Sequence, residues 1–291
     1  MDTQWIINAI ADASIYLLVA VGFGLVYRTV HFFDFSFAAL LCVAPYAALG
    51  FQSIAGVKVV PAIICGTLAT AITAVLLEIC FFSRLRFRNA SKSTSLLVSL
   101  GLFLVIRNLI ASIWGDQALL LQQTDAKIGY AVLGGRMTAL QMWTVFSAIT
   151  IAAGVGMLLA RSRLGRCIKA VGDDCGLAKV FGISEPWVIG SAYAISAISV
   201  SVAGLSLALD VGTTPNLGFR PFLFAVVAVI LAGSFSVWRI VIASVLVATV
   251  QNFLLWRLGA QWQEGGIFGI FLIILVARSF NKKQLSNLKN S

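Results

Sequence analysis

Three ionisable residues, Asp12, Glu78 and Arg107, stand inside long apolar runs. A segment at residues 161–184, RSRLGRCIKAVGDDCGLAKVFGIS, gathers five cations and two adjacent aspartates between two more such runs. A charge at membrane depth is costly, so each of the three is a functional candidate by default. Glu78 lies near the end of its run and can extend its head group to the interface, which gives it a bland reading. Asp12 and Arg107 are deeper. Either they pair with each other, or Arg107 faces a polar path and attracts an anionic group of a solute. Two buried charges are few for a proton-coupled carrier, which must load and unload protons on acids.

Within the polar segment, Leu164, Ile168, Val171, Cys175 and Ala178 recur at spacings of four and three, which predicts one short helix with an apolar stripe. Arg163, Arg166 and Lys169 lie off that stripe. Gly172 and Gly176 each cost about 1 kcal/mol relative to alanine in a helix interior, so such a helix needs a partner surface. The same pattern is also compatible with a solvated loop, or with a helix resting on lipid, although the stripe lacks tryptophan and leucine bulk. Phosphate-binding GxxxxGK[ST], HExxH and GxSxG patterns are all missing, and no carboxylate pair is spaced for hydrolysis, so the chain is not expected to hydrolyse ATP. Five cysteines without CxxC spacing and a single histidine predict free thiols and no zinc set.

These residues must be held by membrane helices. The chain has 291 residues, 60% of them hydrophobic and 11% charged, against about 25% charged in soluble domains. Apolar windows recur at the length a bilayer core demands, and they are continuous rather than alternating, which favours helices over a barrel. An all-α polytopic bundle of about 8–9 membrane segments is expected, at 5–27, 35–54, 59–82, 94–114, 138–160, 187–209, 217–235, 237–256 and 262–280. The opening lacks a cleavage pattern, so the first helix is expected to be retained. The net charge of +10 is spread between apolar runs, which argues for topology and against nucleic acid. With the N-terminus outside and the C-terminus in the cytoplasm, fifteen lysines and arginines fall inside and five outside, as the positive-inside rule asks. The short runs 217–235 and 262–280 must both cross or both fail to cross to keep that balance. The whole chain reads as a single transmembrane domain, 1–291, that includes a cytoplasmic segment at 161–185, with one sizeable external loop at 115–137.

At the polar segment the chain resembles the inner-membrane permeases of branched-chain amino acid ABC transporters, the Liv-type family. The shared features are Gly165-Arg166, Lys169-Ala170, Asp173-Asp174, Ala178 and Gly182-Ile183. The resemblance extends to Tyr16, Gly22, Leu25-Val26-Tyr27 and Phe35, and to Gly101-Leu102, Asn108 and Gly115. Asp34 stands where that family has Asn, the late glycine-rich hairpin is reduced to LAGSFSVWRIV with Gly233 kept, and the closing Arg-Pro is missing.

The resemblance implies an ABC importer permease fold and a non-enzymatic subunit of the cell inner membrane. Its implied partners are a second homologous permease, two cytoplasmic ATP-binding subunits that carry ATP and Mg, and an external solute-binding protein. Gly165, Arg166, Lys169, Ala170, Asp174, Ala178 and Gly182 would belong to an ATPase-coupling helix, its apolar stripe buried in an ATPase groove. Tyr16, Arg107 and Asn108 would line the solute path. Branched-chain or other amino acids are the implied solutes, with urea, amides or aromatic acids as alternatives within the class. A secondary carrier or channel that works without ATPases is the rival reading.

Overall fold

The computed structural model describes residues 4–55, 59–121, 129–132, 135–233 and 236–259, with 265, 266 and 269. Among the described residues, seven helices are long and apolar enough to cross a bilayer: α1 (Gln4–Val30), α2 (Ser36–Ala55), the continuous run Val59–Phe87, α5 (Lys92–Trp114), α6 (Ala139–Arg161), α9 (Glu185–Val211) and α11 (Val237–Leu258). The run Val59–Phe87 divides into α3 (Val59–Leu77), a π turn (Glu78–Phe82) and α4 (Ser83–Phe87). Two short helices, α7 (Arg163–Asp173) and α8 (Cys175–Val180), fill the polar segment, and α10 (Phe219–Ala232) is the expected seventh span. The ninth expected segment, 262–280, lies almost wholly outside the described residues. A small antiparallel hairpin, β1 (Gly129–Val132) with β2 (Gly135–Thr138), precedes α6.

At 14 residues α10 is shorter than the run read from sequence, and it rises only about 21 Å. The preceding stretch 212–218 is irregular. Its backbone is paired through Leu119 and Thr213, whose N–H and C=O groups exchange hydrogen bonds of 2.8 and 3.0 Å. Non-helical backbone survives at membrane depth only where protein or a cavity satisfies it.

The core forms around α1, which is apolar on every side and buries 18 residues. It packs against α6, α7, α9, α10 and α11, while α2 packs against α3, α5, α9 and α10. Helices on the outside sort by face. On α3, Val60, Ile64, Leu68, Ile72 and Leu76 are exposed, whereas Ala62, Gly66, Thr70 and Ala74 are buried. Bulky residues toward lipid and small ones toward neighbouring helices are what a bundle needs when lipid is as apolar as leucine.

Two close approaches set the helix spacing. Pro45, inside α2, has no N–H to donate to the carbonyl of Leu41. Gly204 of α9 packs against that carbonyl so closely that a Cβ would lie 2.1 Å from its oxygen. Gly66 of α3 approaches the carbonyl of Ala44 in the same way, at 2.4 Å. Alanine at Gly204 therefore forces α9 off α2 and is expected to cost about 1–3 kcal/mol. At Gly190 of the same helix a methyl group meets no atom within 4 Å, and alanine there gains up to about 1 kcal/mol. Thermal unfolding in detergent measures both, and equal midpoints for the two variants would contradict this packing.

Candidate functional site

Near one end of the bundle, two cavities of about 260 and 370 Å³ share Asp12 and Ile15 of α1. The first is walled by Asn8, Gln141, Thr144, Ser206, Asp210 and Asn252, the second by Tyr16, Thr214, Asn216, Arg220, Phe224 and Gln251. Asn252 Nδ2 donates to Asp12 Oδ2 at 2.8 Å and to the carbonyl of Ala248, so α11 fixes the carboxylate on α1. One turn on, the Tyr16 hydroxyl donates to Gln251 Oε1, and the Tyr16 ring meets Phe224 edge-on at 5.3 Å. Gln141 is placed by a capping box: its backbone N–H donates to Thr138 Oγ1 and its side chain accepts from the Thr138 N–H, both at 3.2 Å. Asp12 lines both cavities, Asp210 the first and Arg220 the second, a charged lining that suits a polar or charged solute.

The opposite end of α1 meets α7. Arg28 Nη2 donates to Asp173 Oδ1 at 3.1 Å, His31 Nε2 lies 2.8 Å from the Gly172 carbonyl, and a Cβ on Gly172 would lie 2.6 Å from the Arg28 carbonyl. Gly165 lets α7 turn tightly off α6, since a Cβ would lie 2.3 Å from the Leu158 carbonyl. The segment is two helices where the periodicity predicts one. Asp174 breaks it by leaving helical geometry and accepting from the Leu177 N–H at 3.0 Å, which starts α8. The predicted stripe faces inward: Ile168, Val171 and Ala178 are buried in the bundle's own core, with Leu164 and Cys175 packed against it. The expectation that this stripe fills an external groove is therefore corrected. What α8 and its C-cap present outward is Leu177, Val180 and Phe181, exposed by 57, 81 and 76%.

The family model described as "Branched-chain amino acid transport system / permease component" matches residues 5–276. The chain belongs to that family of ABC-type permeases. BraD of Pseudomonas aeruginosa, a high-affinity branched-chain amino acid transport system permease protein, is 21% identical over 94% of this chain and 93% of its own length. LivH of Escherichia coli K12, named likewise, is 22% identical over 94% and 92%. MglC of Salmonella typhimurium, a galactose/methyl galactoside import permease protein, is 33% identical over 49% of this chain and 45% of its own length.

In this permease, Tyr16, which the resemblance assigns to a solute path, lines the second cavity. Arg107 and Asn108 lie elsewhere: Arg107 is half-buried on α5, and Asn108 is exposed and donates to its own helix at Leu104. Asp12 is held by Asn252, so the Asp12–Arg107 pairing is not formed. Of the polar segment, Gly165 and Ala178 are buried, Lys169 and Ala170 half-buried, and Arg166, Asp174 and Gly182 exposed. The sequence reading missed Asp210, Arg220, Gln251 and Asn252. The two amides could have been flagged, because polar side chains inside a span need partners. Among the described residues no group of three metal-ligating side chains occurs.

Asp34, in the Asn place, sits fully buried in the α1–α2 connection. Its Oδ1 accepts from the Ser36 N–H at 2.9 Å and from the Ser36 hydroxyl, and its Oδ2 accepts from the Tyr193 hydroxyl at 2.6 Å. Burial pushes its carboxyl up to about 6, partly offset by these donors. A buried acid raised in this way keeps its proton in the folded state where the unfolded chain has lost it, so stability falls as pH rises from about 4 to 6. The Asp34→Asn variant should lose that slope while the wild type keeps it. Unfolding midpoints across this pH range check the prediction, and identical slopes would contradict it.

Proposed function

We propose that this permease is the membrane-spanning subunit of an importer powered by separate ATPases, and that it carries branched-chain or other amino acids. The observation that carries the reading is the pair of cavities that share Asp12 and Ile15 as walls. Asp12, which lines both cavities, offers a carboxylate to an ammonium group, and Ile15 and Phe224 give an apolar wall to a side chain. The high-coverage relatives BraD and LivH, whose names specify branched-chain amino acids, support the same solute class. A sugar is the second reading, supported by the partial match to MglC and by the amides and hydroxyls around Asp12.

In this reading the N-terminus faces outside in the inner membrane, because the lysines and arginines divide fifteen to five in favour of the α7–α8 side. A solute-binding protein delivers to the Asp12 end, a second homologous permease completes the path, and two ATP-binding subunits, holding ATP and Mg, dock at the α7–α8 end. Leu177, Val180 and Phe181 are the residues that enter the ATPase groove, with Arg166 and Asp174 beside them. Ala178 only supports them from behind, being 3% exposed.

Two measurements test this. In reconstituted vesicles, Asp12→Asn should raise the KM for leucine about tenfold or more, since a hydrogen bond to a charged group contributes about 1.5–3 kcal/mol. An unchanged KM would remove the amino-acid assignment. After purification in gentle detergent, the wild type should bring ATPase chains with it and Phe181→Glu should lose them. A wild type that purifies as a lone homo-oligomer with gradient-driven uptake would replace the importer by a self-contained carrier.

A further inference from the structure

Glu78 is 1% exposed, and both of its carboxylate oxygens are taken by Arg86. Arg86 Nη1 donates to Oε2 at 3.2 Å, and Nη2 contacts Oε1 directly. The same guanidinium reaches the other way, its Nε 3.4 Å from Glu185 Oε1. Glu185 passes the contact on, with Oε2 2.6 Å from Lys179 Nζ. Four alternating charges thus run without a gap from the π turn through α4 and the first turn of α9 to α8. Burial differs along the line. Lys179 keeps 60% of its side chain exposed, Glu185 15% and Glu78 only 2%. A buried carboxylate stripped of its partner is strongly destabilising, whereas the outer lysine can be removed without leaving a buried charge unpaired, since Glu185 keeps Arg86.

The inner end of this line is an unusual piece of helix. The π turn Glu78–Phe82 replaces the i to i+4 bonding of the third span, a feature that recurs at functional sites. It is also clamped from the side: Phe82 stacks on Tyr193 at 6.0 Å, and the Tyr193 hydroxyl donates to Asp34 at 2.6 Å. The outer end is the helix whose apolar face is open. α8 is only six residues long and is flanked by the break at Asp174 and by Gly182 at φ 77°. Covalently, a push on α8 reaches α7 and α9. Through the charges it also reaches the third span, which lies far away in sequence.

We propose that Lys179, Glu185, Arg86 and Glu78 form a strut that transmits displacement of α8 to the π turn of the third span, with Glu185 and Arg86 as positioning residues for energy coupling. The coupling role rests on the proposed function, in which ATPases move α8. The strut itself is a property of this chain alone. It adds a third moving element to the two spans, α6 and α9, that connect directly to the α7–α8 segment.

Hydrogen exchange on the purified chain in lipid nanodiscs separates a strut from local ion pairs. Lys179→Gln removes the outer charge, on the exposed surface, where folding is not at risk. Exchange at residues 78–87 should quicken about three- to tenfold, the size expected of coupling between linked sites, because Lys179 holds Glu185 and Glu185 contacts Arg86. Lys179→Arg should restore wild-type exchange. A response confined to residues 175–185 overturns the strut, whether or not ATPases co-purify. If both segments respond and no ATPase co-purifies, the strut stands and the importer reading fails. In the reconstituted importer, Lys179→Gln should retain its ATPases and import several-fold less solute per ATP hydrolysed. An unchanged ratio overturns the coupling role of the strut.

Discussion

Close backbone approach to α1 and α2 is the constraint on which the rest of this structure depends. Lipid offers helices no hydrophobic reason to associate, so contact has to come from packing depth and from the few polar groups that need one another. The glycines at 66 and 204 supply depth, resting against carbonyls of α2. Gly22 does the same on α1, where the Ser196 hydroxyl of α9 donates to its carbonyl at 2.8 Å. With α1 enclosed, the cavity end and the α7–α8 end of the molecule become ends of one rod. Asp12 and Arg28 are sixteen residues apart on it, about 24 Å along the axis. Arg28 is tied to Asp173 of α7 and Asp12 opens on the cavities, so a tilt of this helix alters both.

The sequence made the spans legible because a lipid-facing helix needs an unbroken apolar run. Most of the long helices begin and end within a few residues of the expected bounds. Periodicity also found the amphipathic character of residues 161–184, but a period identifies a face and not what covers it. The stripe through Ile168 and Ala178 is covered by the bundle, and the break at Asp174 turns Leu177, Val180 and Phe181 outward, which a single-helix reading hides. Cavity residues were half legible. Asp12 announces itself as a charge in an apolar run, but its partner Asn252 is 240 residues away, and no local pattern links them. Glu78 was misread because its place near the end of a span suggested escape to the interface. It is buried against Arg86, eight residues on, beyond the i+4 spacing that helix patterns test.

Departures from the family's pattern have physical counterparts. Gly233, kept from a richer glycine run, ends α10 in left-handed geometry at φ 70°, with its N–H donating to the Ile230 carbonyl. Trp238, the bulky residue that follows, is 70% exposed and so points away from the bundle. Asp34 in the Asn place keeps both carboxylate oxygens satisfied by Ser36 and Tyr193, at the cost of burying a group that would otherwise ionise freely. None of these changes touches the two cavities.

If the cavity beside Asp12 is the solute path and the α7–α8 end controls which side it opens to, its accessibility must change with nucleotide and with solute. Ser206 lines that cavity and is 5% exposed. In a chain whose native cysteines are replaced, Ser206→Cys can be labelled with a membrane-impermeant maleimide in the reconstituted transporter. The labelling rate should differ several-fold between nucleotide-free and ATP-bound complexes, and leucine should slow it in the state open to the reagent. A rate indifferent to both nucleotide and solute would contradict this reading.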